Sequence, residues 1–177
     1  MKKLLLIATS CAFLAGCMSN APEYRAEQIK RVEEYNKNAS ALAMSEFKPL
    51  IPLCLDAVEN GTIVSAKKMQ SLGFTPATSF GKSSAFRKKR GDSAMDRINS
   101  KNTSFNVSQQ GCVFVLGNYG SVTSGGLTLR KLLEAEGYAF KGKVKDGFLL
   151  TKGQHSLILD GYAYSGMVTT FHLNKSN

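Results

Sequence analysis

Apolar positions along the chain change their spacing twice, and each regime predicts a different kind of element. Leu4 to Ala15 is an unbroken run of apolar or small residues behind Met1-Lys2-Lys3. That run is shorter than the roughly 20 apolar residues of a membrane-spanning helix, and polar Ser19, Asn20 and Glu23 follow it closely. From Ile29 the spacing becomes helical: Ile29, Val32, Tyr35, Ala39, Leu42, Phe47 and Leu50 recur at three- to five-residue steps. Such a stripe predicts an amphipathic helix packed on the protein's own domain. Pro49 and Pro52 end it and suit the first turn of a second helix, with Leu53, Cys54, Ala57 and Val58 facing inward and Asn60-Gly61 as its stop. Ser65 caps a short third helix that ends at Gly73. If Gly73 is left-handed, Phe74 folds back on Met69, and Leu133, Gly137 and Tyr138 repeat that ending in a later helix.

Residues 75–101 lose apolar periodicity and read as a long, flexible, basic connection. Beyond it the period becomes two. "TSFNV" and "CVFVLG" predict strands. Leu127, Leu129, Leu132 and Leu133 then mark a helix, with Gly125-Gly126 before it and Gly137 after it. Asp146-Gly147, Lys152-Gly153 and Asp160-Gly161 punctuate "GFLLTK", "HSLILDG" and "GMVTTFHLN" as antiparallel strands. The expected fold class is α+β: N-terminal helices packed on an antiparallel sheet of about five strands, with one further helix.

The first run has a second meaning. A basic start, a short apolar stretch and small residues before a cut describe a secretory signal peptide. Leu14-Ala15-Gly16-Cys17 resembles the lipobox of bacterial lipoproteins, a resemblance confined to the first 17 residues. It implies cleavage before Cys17, a diacylglyceryl group on its sulfur and an acyl chain such as palmitate on its freed amine. Each buried CH₂ adds roughly 0.8 kcal/mol, so one chain holds a protein marginally and several hold it stably. Met18 stands where an inner-membrane lipoprotein carries Asp, so the resemblance implies the outer membrane, facing the periplasm, over the inner membrane. The expected organisation is a signal peptide over residues 1–16, a lipidated tether over 17–27 and a single α+β domain over 28–177.

Export changes how the charge and the cysteines are read. Lys2 and Lys3 leave with the leader, which lowers the formal net charge from +10 to +8. Nucleic acid is then excluded as a partner, and anionic lipid head groups, lipopolysaccharide or an acidic envelope protein fit the charge. Within "FRKKRGDSAMDR", Arg87, Lys88, Lys89 and Arg90 form a candidate anion-binding site, with Lys82, Arg97 and Lys101 nearby and Phe86 able to enter an interface. A solvated, self-repelling loop is the alternative. Cys11 leaves and Cys17 is acylated, so Cys54 and Cys112 remain as an even pair in an oxidising compartment. A disulfide between them is expected, with two buried thiols as the alternative. The chain-entropy model gives a loop of about 60 residues roughly 4 kcal/mol.

Catalytic and metal patterns are sparse. "LGNYGSVTSGG" lacks both the G-x-x-x-x-G-K-[ST] and the G-x-G-x-x-G spacing of phosphate cradles, and it has no G-x-S-x-G elbow. Two distant cysteines and two histidines, His155 and His172, are too few for a metal site, and no cofactor is expected. Asp56 and Glu59, at i and i+3, read as a wet helix face. The expected function is that of a non-catalytic, membrane-anchored periplasmic lipoprotein that binds an anionic or protein partner. Two alternatives stand: a cell-envelope hydrolase using His155 with Asp160, and a small periplasmic enzyme inhibitor.

Overall fold

A computed structural model describes residues 22–78, 83–90, 101–164 and 168–176, with side chains from Tyr24 onward. Cys17, the leader, Lys82, Asp92, Asp96 and Arg97 lie outside the described residues. The chain divides into two units between Tyr35 and Asn36.

Helix α1 runs Pro22–Phe47, so it begins within the expected tether, with proline at its first position. In its first unit Tyr24, Ile29, Val32 and Tyr35 are exposed, and Arg31 pairs with Glu27 at 2.5 Å. In the second unit Ala39, Ala43 and Phe47, four apart on one face, are buried. Within this second unit the apolar stripe enters the core through Ala39, Ala43 and Phe47.

Three more helices follow, with α2 at Ile51–Asn60, α3 at Ala66–Ser71 and α4 at Val122–Ala135. Ser65 Oγ accepts the Lys68 N–H at 3.2 Å and starts α3. Gly73 is left-handed at φ 80°, and the Phe74 N–H donates to the Met69 carbonyl at 3.0 Å. Gly137, at φ 91°, ends α4 in the same way, with the Tyr138 N–H donating to the Leu133 carbonyl at 3.0 Å. Both endings are the Schellman geometry that the repeated glycine–aromatic pair predicts.

The sheet has eight strands, not about five. They are β1 Thr75–Ala77, β2 Ser84–Lys89, β3 Asn102–Ser108, β4 Gly111–Gly117, β5 Ala139–Val144, β6 Gly147–Lys152, β7 His155–Tyr164 and β8 Val168–Lys175. All pairs are antiparallel in the order β1-β2-β3-β4-β8-β7-β6-β5, so two meanders are joined where β8 lies against β4. The unexpected strands are β1, β2 and β5. Strands β1 and β2 occupy the expected flexible connection, and the chemistry explains the miss. Lys88 shares a face of β2 with buried Phe86, resting its stem there while Nζ reaches Glu46 Oε2 at 2.8 Å. Strand β5 is an edge and carries Lys141 and Lys143, charges that keep edges from pairing further.

Register builds the core. Phe86, Phe105, Phe114 and Phe171 lie side by side on β2, β3, β4 and β8, and the row ends at Gly161 on β7. Phe47 from α1 meets Phe114 and Phe171 edge-on, at 5.3 and 5.6 Å between centroids. Phe171 itself sits between two glycines. A Cβ at Gly125 of α4 would fall 2.3 Å from its ring, and one at Gly161 2.7 Å from it. Gly125 thus lies inside α4 rather than before it, because the ring needs the space. Cys112, on the same face two residues before Phe114, is joined to Cys54 of α2 with a Cα–Cα distance of 5.9 Å. These contacts put the end of α1, α2 and α4 on one face of the sheet.

At the far end of α2, Glu59 is no wet-face carboxylate. Its Oε1 accepts a hydrogen bond from Tyr138 Oη at 2.7 Å, and Lys152 Nζ lies 3.7 Å away. Burial, that hydrogen bond and the charge of Glu59 hold the Tyr138 phenol above its ordinary range.

Two outcomes test this packing. Replacing Cys54 and Cys112 with Ala removes a link across 58 residues. It is expected to cost about 4 kcal/mol and lower Tm by roughly 8–16 °C in calorimetry. Tyr138 contributes stability fully below pH 10, where the unfolded phenol is protonated as well. That contribution falls as pH rises above 10, since the unfolded chain ionises first. Urea titrations between pH 8 and 12 should therefore show a shallower alkaline loss in Tyr138→Phe than in the parent chain.

Candidate ligand cleft

The four cations expected to form an anion site do not come together. Strand alternation sends Arg87 and Lys89 to the face opposite Phe86, where both are exposed. Lys88 is committed to Glu46 and lies 5.3 Å over the Phe74 ring. Arg90, just past β2, donates through Nη2 to the carbonyls of Asn102 and Gly117. Burial lowers its guanidinium below the ordinary value, and the charge of Glu46 works in the opposite sense. Phe86 is a core residue, not an interface one.

The imidazoles are placed by register. His172 of β8 stands directly across from Asp160 of β7, and Tyr162 stacks on its ring at 5.7 Å and 20°. His155 instead faces Lys152 on β6, so it is not the partner of Asp160. Around His172, on the face away from the helices, Asp146, Asp160, Tyr162 and Asn174 border a polar hollow of about 550 Å³. Its groups can donate and accept hydrogen bonds. No group of three His, Cys, Asp or Glu side chains that could hold a metal occurs among the described residues.

A better-formed site opens on the helical face, between α4 and the second meander. Val122, Gly126 and Arg130 recur every four residues along α4 and form one wall. Leu150, Leu159 and Phe171, all buried, form the floor. Phe140 and Phe148, 5.8 Å apart between ring centroids, form the far side, with Leu127 and Phe148 partly exposed at the rim. The cleft has a volume of about 260 Å³. Its polar lining is chiefly Arg130, from α4; Asp160 of β7 borders it, but alternation turns its side chain to the other face with His172. The Arg130 guanidinium lies over Phe140, with Cζ 3.8 Å from the ring centroid, and its Nε donates to Glu134 Oε1 at 2.7 Å.

An apolar concavity with very few polar groups suits a ligand with an apolar body and one oriented head. Sequence reasoning missed this site because its walls come from the helix start and from β5, which were not recognised. The available signal was Gly126. A glycine as the fifth residue of a helix loses roughly 1 kcal/mol relative to alanine and usually has a reason. Compared with protein-family models, curated proteins and solved structures, the chain matches none.

Proposed function

We propose that this chain is a lipid-anchored protein of the bacterial cell envelope that works by binding, not by catalysis. The observation that carries the address is Leu14-Ala15-Gly16-Cys17 placed directly behind a basic start and a short apolar run. In this reading Cys17 is acylated, the protein is held at the outer membrane on its periplasmic side, and its domain engages an anionic partner. The buried Cys54–Cys112 bond supports an oxidising compartment. No helix among the described residues is long and apolar enough to cross a membrane, and several acyl chains on one cysteine hold a protein stably at a bilayer. The apolar cleft beneath α4 supplies a place for a partner's apolar part, and the exposed pair Arg87 and Lys89 supplies charge on the opposite face.

Intact-mass measurement on protein extracted from membranes tests the anchor. The expected species lacks residues 1–16 and carries acyl groups on Cys17, and Cys17→Ser moves the protein to the soluble fraction. A product that keeps its leader, or is trimmed elsewhere, overturns the reading. Binding is tested with Cys17→Ser protein and phosphatidylglycerol vesicles. Each exposed cation near an anionic surface adds about 1 kcal/mol, so Arg87→Ser with Lys89→Ser should weaken attachment at least tenfold and flatten its salt dependence. Lys88→Ser should instead lower Tm, because it strands buried Glu46.

A further inference from the structure

We propose that the cleft beneath α4 binds the acyl chain of a single-chain carboxylate, a medium-length fatty acid, with its head at Arg130. This rests on the cleft being a binding site, as above, but not on the anchor.

Four observations converge. First, the cavity is lined mainly by apolar groups and floored by Leu150, Leu159 and Phe171, so it favours hydrocarbon over water. Second, its size fits one chain. A 150 Å³ apolar cavity admits benzene, and scaling from six carbons puts about ten in this one. A lipid with two long acyl chains exceeds it.

Third, Gly126 keeps the space open. Its neighbour Gly125 is required by packing, because a Cβ there would strike the Phe171 ring. At Gly126 the nearest atom to a Cβ would be Phe171 Cε1 at 3.9 Å, an ordinary contact, so packing does not exclude alanine. Helix propensity favours alanine by roughly 1 kcal/mol. A glycine placed against that preference, on the wall of an apolar cleft, leaves volume that the fold itself does not use. The usual relation between stability and function accounts for it.

Fourth, charge sets the direction. Arg130 is held at the helix wall by stacking on Phe140, and its Nε is engaged by Glu134. Among the described residues its two terminal nitrogens have no hydrogen-bond partner, and a guanidinium presents them as a fork that matches a carboxylate. Strand alternation turns the Asp160 side chain to the other face with His172, so Arg130 is the one charged side chain at the cleft among the described residues, which assigns the head to it.

Calorimetric titration of the full chain carrying Cys17→Ser, with decanoate, decanol and decyltrimethylammonium, tests the assignment. Decanoate should bind saturably at one site, at least tenfold tighter than decanol, with the cationic analogue weakest. Arg130→Gln should bring decanoate and decanol within threefold of each other. Gly126→Leu should abolish binding of both. Gly126→Ala, which cannot disturb the fold by overpacking, should weaken decanoate while raising Tm. Absence of saturable decanoate binding overturns the proposal, as does equal binding by Gly126→Ala and the parent chain. So does uptake of phosphatidylcholine vesicles without decanoate binding, which would mark a membrane-docking face instead. An unmodified Cys17 would sink the anchor and leave this result untouched, and the converse also holds.

Discussion

Phe171 is the residue on which the two halves of the sheet agree. It lies opposite Phe114 across the seam between the meanders, takes the edge of Phe47 from α1, and is flanked by Gly125 of α4 and Gly161 of β7. One ring thus fixes the approach of a helix, the register of a strand pair and the height of α4 above the sheet. Truncating a buried phenylalanine commonly costs 3–5 kcal/mol, roughly, and here the two glycines would be left facing a void that neither can fill. The Cys54–Cys112 link works on the same seam from the other side, tying α2 to the strand that carries Phe114.

The same ring also shapes the cleft. Its edge forms part of the floor, and the close approach of α4 permitted by Gly125 brings Gly126 and Arg130 to the wall one turn at a time. Core and site therefore share a residue but make opposite demands on adjacent glycines: one is small so that protein can fill the space, the other so that protein does not. The polar hollow around His172 differs in kind. It is built of side chains from the face of the sheet opposite α2 and α4, and its character comes from cross-strand pairing of Asp160 with His172.

How much of this was legible in the sequence follows from the range of the interactions involved. Helix endings were readable because they are local: Gly73 with Phe74 and Gly137 with Tyr138 carry their geometry within five residues. The cysteine pair was readable by elimination. Strands β2 and β5 were not, because lysines hide their alternation; Lys88 is half-buried only because Glu46, on another element, is there to meet it. The same distance effect dissolved the four-cation site, since alternation parts Arg87 and Lys89 from Lys88, and Arg90 is taken by carbonyls of β3 and β4. Which histidine faces Asp160 is a matter of register, and register is set by the whole sheet.

The central position of β8 has a consequence for how the molecule is assembled. Strands β1 to β4 each pair with the next in sequence, and so do β5 to β8, but neither meander completes a core alone. The seam between β4 and β8 must close before Phe171 meets Phe114. Until then β4 and β8 each present a bare edge of unpaired amides, the kind that captures other chains. That seam joins residues far apart in sequence, and the partly built molecule is most exposed to mispairing just before its two meanders meet.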